Sequence, residues 1–131
     1  MIFVDTSAWF ASIVPTDPNH DKAAEWLQSN NEVLFTTDYI VDETLTLLRA
    51  RGENRRAISL GTNFFDGQLA VVYRLSENDI ARAWDVFQQF SDKEWSFTDC
   101  TSKAVMESSG ITSAFAFDKH FTQFGVVVVV P

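Results

Sequence analysis

The sequence predicts an α/β fold in which a mainly parallel sheet is covered by helices on both faces. Short β-favouring apolar runs alternate with longer stretches of helical periodicity, the order expected when each strand is followed by a crossover helix. Two of the later runs, residues 114–117 and 126–130, are continuously apolar, as strands buried on both faces are. Residues that cap helices directly follow several of the runs.

Ile2, Phe3 and Val4 read as the first strand, Asp5-Thr6-Ser7 as cap chemistry, and Ala8-Trp9-Phe10-Ala11 as the start of a helix. Pro15 and Pro18 end it, and Asn19 is placed to cap a second helix carrying Ala23, Ala24, Trp26 and Leu27. Val33-Leu34-Phe35 forms the next strand. After the cap cluster Thr36-Thr37-Asp38, apolar residues Ile40, Val41, Leu45 and Leu48 recur at helical spacing until Gly52. A helix over 55–65, a β-type run at 69–73 and a helix capped by Ser76 follow. A short strand at 95–97, a helix from about Asp99 to Ser108 stopped by Gly110, and strands at 114–117 and 126–130 complete the pattern. No repeat, linker or low-complexity tract interrupts it, so residues 1–131 are expected to form one domain.

With 46% apolar residues, including twelve Phe and four Trp, the chain has ample material for a dry core. Cys100 has no partner for an internal disulfide, and the longest apolar run is far short of the roughly 20 residues that span a bilayer. The N-terminus lacks the basic, then apolar, pattern of a signal peptide, so a cytoplasmic protein without membrane association is expected. The net charge of −8 disfavours a general nucleic-acid binder, whose affinity would come from neutralising phosphates.

Placement gives the acids a sharper meaning. Ligands of open α/β sheets bind beyond the carboxyl ends of the strands. Asp5 directly follows the first strand, Asp118 follows the 114–117 run, and Asp99 follows the strand expected at 95–97. Glu43 lies about one turn into the helix after the second strand, bordering its apolar stripe. Taken singly, Asp5 and Asp99 are ordinary helix caps, Glu43 a solvated surface charge, and Asp118 the opening of a turn. Brought together, uncompensated carboxylates raise one another's pKa, a cost that a bound cation offsets. An all-oxygen set suits Mg²⁺ or Mn²⁺ better than Zn²⁺, and such ions support phosphodiester hydrolysis. Thr6, Ser7 and Thr98 stand beside the acids as hydroxyl donors able to orient them, or as simple caps.

Four segments in order, 4–8, 36–44, 96–102 and 114–121, resemble the PIN-domain family, and more closely its VapC-like toxin branch. The resemblance implies a three-layer α/β/α sandwich with a central parallel sheet of about five strands. It also implies Mg²⁺- or Mn²⁺-dependent endoribonuclease activity on structured RNA such as tRNA or rRNA. It assigns Asp5 and Asp99 as principal metal ligands, Asp118 as a ligand or second-metal partner, and Glu43 as a ligand or water-orienting group. A small antitoxin protein and a homodimer are the partners it implies. Lys103 departs from the pattern, standing in a helix where relatives commonly place an aromatic.

Arg49, Arg51, Arg55 and Arg56 crowd the end of the Glu43 helix and are read either as grips for RNA phosphates or as favourable charge at a helix C-terminus. Cys100 is expected to be a small buried hydrophobe, and His20 and His120 to be surface or turn residues. Trp9, Trp26, Trp84 and Trp95 are expected in the core, with base stacking as the alternative. A haloacid-dehalogenase-type phosphatase would need a second Asp where Ser7 stands, and a receiver domain would need an acidic neighbour for Asp5. The remaining rival is a catalytically inactive PIN-like module that binds RNA or protein.

Overall fold

Ile2, Phe3 and Val4 are each at most 3% exposed, which places the first strand at the centre of the sheet. In the computed structural model, which describes residues 1–130, β1 (Ile2–Val4) pairs in parallel with β2 (Leu34–Thr37) on one side and β4 (Ser113–Phe115) on the other. The outer strands are β3 (Val71–Tyr73), beside β2, and β5 (Val127–Val128), beside β4. All five strands are parallel in the order β3-β2-β1-β4-β5, as the resemblance implied. The strand order reverses at β1, where the chain first runs towards β2 and later returns to β4. A ligand crevice is expected beyond the carboxyl ends at such a reversal.

Helices fill every crossover but the last. α1 (Thr6–Ile13) and α2 (His20–Ser29) join β1 to β2, α3 (Asp38–Ala50) and α4 (Asn54–Phe65) join β2 to β3, and α5 (Glu77–Gln89) and α6 (Phe97–Ser109) join β3 to β4. Right-handed crossovers put the first two pairs on one face of the sheet and the third pair on the other. A 3₁₀ segment, Lys119–Phe124, leads into β5. Trp9, Phe3, Phe115, Phe121 and Ile40 are the largest fully buried side chains. Trp9 meets Phe64 edge-on at 5.0 Å and donates from its indole to Thr36 Oγ1 at 3.4 Å.

Several expected boundaries move. The strand predicted at 95–97 does not form: Trp95 is buried beside Ala83, Cys100 and Ala104, and α6 already begins at Phe97. Ser96 and Asp99 close a capping box there, each side chain bonding the other's amide at 3.0 Å. The apolar flank that resembles a strand is therefore the entry to a helix. Strand β4 starts one residue before the 114–117 run and ends at Phe115, and β5 covers only two residues of the 126–130 run. Asn19 precedes α2 as expected, but its side chain makes no capping bond.

Cys100 is buried, and burial pushes its thiol up to about 11, so it is an inert core residue as expected. Trp9 and Trp95 are core residues, and Trp26 packs on Phe115. Trp84 is not: it is 51% exposed. Helix α5 packs on α6 through Ala83, and the next residue points about 100° away around the helix. His20 is a structural residue, its Nδ1 lying 2.7 Å from the Ala11 carbonyl that belongs to α1. Among the described residues no helix is long and apolar enough to cross a membrane.

Candidate functional site

Asp5 leaves the carboxyl end of β1 in extended backbone and caps α1, accepting from the Ser7 amide at 3.1 Å and the Ser7 hydroxyl at 2.7 Å, both through Oδ2. The Ser7 hydroxyl in turn accepts from the Phe117 amide at 2.9 Å and the Asp118 amide at 3.2 Å. Ser7 thereby fastens the chain leaving β4 to the chain leaving β1. Asp118 caps the 3₁₀ segment by accepting from the His120 amide at 2.9 Å.

Glu43 comes from α3 and accepts from Thr6, the first residue of α1. Thr6 itself accepts from Thr44, fully buried on α3, at 3.2 Å. Asp99 arrives on the first turn of α6, not at a strand end, so the predicted position is right while the predicted route is not. Its Oδ2 faces His120 Nδ1 at 3.0 Å, and that nitrogen also lies 3.3 Å from Asp118 Oδ1. A ring carrying its proton on Nδ1 donates to Asp99. Ligand atoms of Asp99, Asp118 and His120 all lie within 4.8 Å of one another, a spacing that suits a metal ion. Asp5 and Glu43 stand outside that tight group. His120 lies in the 3₁₀ turn after Asp118, as a turn residue is expected to, but its ring faces the acids. The signal in the sequence was its position two residues beyond Asp118.

Electrostatics join all four carboxyls. Burial, with Glu43 and Asp99 nearby, pushes Asp5 up to about 7 against the pull of its Ser7 hydrogen bonds. Glu43 is also raised, first by burial and then by Asp99, Asp118 and Asp42, while its Thr6 bond acts the other way.

Each of the four acids has one oxygen engaged by protein donors and the other without a protein partner among the described residues. Ser102 Oγ is the sole fully buried side-chain polar atom in that set left without a partner, so none of the four spare carboxylate oxygens is sealed completely, although Asp5 and Asp99 are buried residues. Carboxylates anchored through one oxygen, with the other unpartnered, fit a hard divalent cation that retains waters. Thr98 contributes its carbonyl to Thr101, and its hydroxyl makes no hydrogen bond to the acids. The arginines do not touch the cluster either. Arg49 bonds Asn54, Arg56 pairs with Glu53, Arg51 lies over the Phe10 ring, and Arg55 is exposed.

Two outcomes follow from this geometry. Ser7→Ala strands the Phe117 and Asp118 amides and is expected to cost about 2 kcal/mol in urea unfolding; a change within error would show the tie to be idle. A carboxyl raised in the fold contributes stability that is full below its unfolded value of 3.8 and is lost as pH rises through about 7. In chelator, the wild type should therefore weaken from pH 4 to 8, and Asp5→Asn should be more stable at pH 8 by about 2 to 4 kcal/mol. Parallel pH profiles for the two proteins would refute the assignment of that carboxyl.

Comparison with known proteins agrees with the fold. A family model described as the PIN domain matches residues 2–127. The 23S rRNA-specific endonuclease VapC20 of Mycobacterium tuberculosis is 35% identical over 131 residues, covering 100% of this chain and 99% of the relative. The crystal structure of Mycobacterium tuberculosis VapC20, described as a sarcin-ricin loop cleaving toxin, superposes with a TM-score of 0.93 at 34% identity over the whole of both chains. FitAcB from Neisseria gonorrhoeae shares the fold, with a TM-score of 0.70 at 18% identity over 98% of this chain and 96% of that one. By fold, by full-length similarity and by sheet order, the chain belongs to the PIN-domain family and to its VapC-like toxin branch.

Proposed function

We propose that this protein is a divalent-cation-dependent endoribonuclease whose site is formed by Asp5, Glu43, Asp99 and Asp118. The observation that carries this reading is the anchoring pattern, in which one oxygen of each acid is held by the protein and the other is left without a protein partner among the described residues. Asp5, Asp99 and Asp118 are the residues assigned to hold Mg²⁺ or Mn²⁺, with His120 keeping Asp99 and Asp118 in register. A bound divalent ion supplies Lewis acidity to the phosphate and a lowered pKa to its water.

The chain's own contribution is placement. Thr44 orients Thr6, Thr6 fixes one oxygen of Glu43, and the other oxygen is left to accept a hydrogen bond from the attacking water. That water forms a bond to phosphorus as the bond from phosphorus to one ribose oxygen breaks, its proton passing to Glu43 while the departing oxygen takes up a proton from solvent. The raised pKa of Glu43 suits it to receive a proton at this step. Similarity to VapC20 supports RNA as the substrate and ribosomal RNA as its class. An inactive binding module would gain nothing from a buried carboxyl repelled by two neighbours, whereas a cation-binding site offsets that repulsion.

Similarity to a ribosomal-RNA endonuclease supports a cytoplasmic location, and the family reading gives the protein a small antitoxin and a second copy as partners. Between α3 and α4 lies an apolar groove of about 920 Å³ lined by Leu45, Ala57, Ile58, Gly61 and Phe65. Its rim residues Ile58 and Phe65 are 58% and 76% exposed, which offers an antitoxin a surface to cover. The exposed arginines at the α3–α4 junction are assigned to RNA phosphates.

Incubated with total RNA, the wild type is expected to cut when Mg²⁺ or Mn²⁺ is supplied and to stop in chelator. Asp5→Asn and Asp99→Asn should each lose activity by about a hundredfold or more. Equal cutting by all three proteins would sink the proposal. Replacing Arg55 and Arg56 together with Ala should weaken RNA binding and shrink the slope of log affinity against log salt by roughly 1.4 for a single strand. An unchanged slope removes the arginines from the interface.

A further inference from the structure

Helix α6 carries a hydroxyl that the fold leaves idle. Ser102 is fully buried, and among the described residues its Oγ has no hydrogen-bond partner. A buried hydroxyl in that condition costs stability, so its presence calls for a physical reason. Other helical hydroxyls escape the cost. Ser12, Ser29, Thr62, Thr101 and Ser108 each turn back onto a carbonyl three or four residues earlier in their own helix. The Thr98 carbonyl, four residues before Ser102, is already engaged by Thr101. The helix also sets where Ser102 leans. Cys100 and Ala104 turn towards α5, while Val105 and Met106, three and four residues beyond Ser102, belong to the main core. Ser102 therefore lies on the core-facing stripe of α6, one turn or about 4.5 Å along the axis from Asp99. Helical side chains tilt towards the N-terminus, which carries this hydroxyl towards the turn bearing Asp99. There, Asp99 Oδ2 is engaged by the Ser96 amide and His120, and Oδ1 has no protein partner among the described residues.

We propose that Ser102 is a positioning residue of the carboxylate site, its hydroxyl anchoring a buried water that bonds in turn to Oδ1 of Asp99, an inference that rests on the nuclease reading above. One donor and one acceptor, each without a protein partner, stand on the same stripe without bonding each other directly, and a single water spans such a gap. A carboxylate oxygen has two acceptor positions, so the water takes one and leaves the other for a divalent cation. Ser96 and His120 fix one oxygen of Asp99, and Ser102 fixes the other through the water. Support of this kind orients a ligand before the cation arrives and raises affinity for it. The stability given up at Ser102 is thereby returned as cation binding.

The test joins calorimetry of Mn²⁺ binding, without RNA, to a crystal structure that resolves waters, both on the full chain. Ser102→Ala removes the hydroxyl, and Ser102→Cys keeps its approximate volume while donating poorly. Each should bind Mn²⁺ about five- to tenfold more weakly than the wild type, and Ser102→Thr, which restores a hydroxyl, should recover most of the loss. In the wild-type crystal a water should stand within about 3.2 Å of both Ser102 Oγ and Asp99 Oδ1, and Ser102→Ala should lack it. A hydroxyl with a purely structural place gives the opposite pattern. Ser102→Ala would then leave Mn²⁺ affinity unchanged and raise the melting temperature in chelator, because an unpaired buried group has gone. That pattern overturns the proposal, and so does a wild-type crystal in which Ser102 bonds a main-chain carbonyl or no water joins it to Asp99. Failure of the nuclease reading is seen separately, as RNA left uncut by the wild type in Mn²⁺ while the water still links Ser102 to Asp99.

Discussion

The hydroxyl of Ser7 has one proton to give and two positions at which to accept, and all three are used. The proton goes to Asp5, and the two acceptor positions take the amides of Phe117 and Asp118. Strands β1 and β4 are already neighbours in the sheet, but sheet pairing ends at Phe115. Beyond that point nothing in the ladder dictates where the chain goes. Ser7 extends the register past the end of the sheet and thereby sets the distance between two of the four acids. Thr6, its neighbour, does the same for the third by holding Glu43. The first turn of α1 is thus a hub from which the site is measured out, and its position in turn depends on buried β1 beneath it.

How much of this was legible in the sequence varies with the cause. Asp5 and Asp118 were legible because a parallel sheet puts the residues after its strands on one edge, a consequence of topology that alternating patterns reveal. Glu43 was legible from helical spacing beside an apolar stripe. Asp99 was found for the wrong reason. Trp95 and Phe97 look like a strand because they are aromatic and apolar, yet their burial comes from α5 and Phe124 and not from a ladder. The Ser96-x-x-Asp99 spacing carried the correct signal of a capping box. His120 was missed because the direction of a side chain at a turn depends on the turn's dihedral angles, which no periodicity records. Trp84 was misplaced because an amphipathic helix shows which residues are apolar without showing how wide a face its partner covers.

Acidity plays two parts that compositional reading cannot separate. Most of the surplus negative charge is spread over an ordinary solvated surface. A small share is concentrated where burial and mutual repulsion act together, and there it lifts Asp5 to about 7 and raises Glu43. Asp5 in that state is poised to exchange a proton for a cation near neutral pH. The hydrogen bonds from Ser7 and Thr6 oppose the shift only in part, since they satisfy one oxygen of each group and leave the other for a ligand.

The Ser7 tie also bears on when the site comes into being. Ser7 and Phe117 are 110 residues apart in the chain, yet the site needs both. Synthesis runs from the N-terminus, so β1 and the Asp5 turn leave the ribosome long before β4 exists to sit beside them. Until residues 113–118 have emerged, Asp5 has no Asp118 to face and the central strand lacks one of its two neighbours. The acids therefore meet only when nearly the whole chain has been made, and the site is among the last features of the fold to be completed.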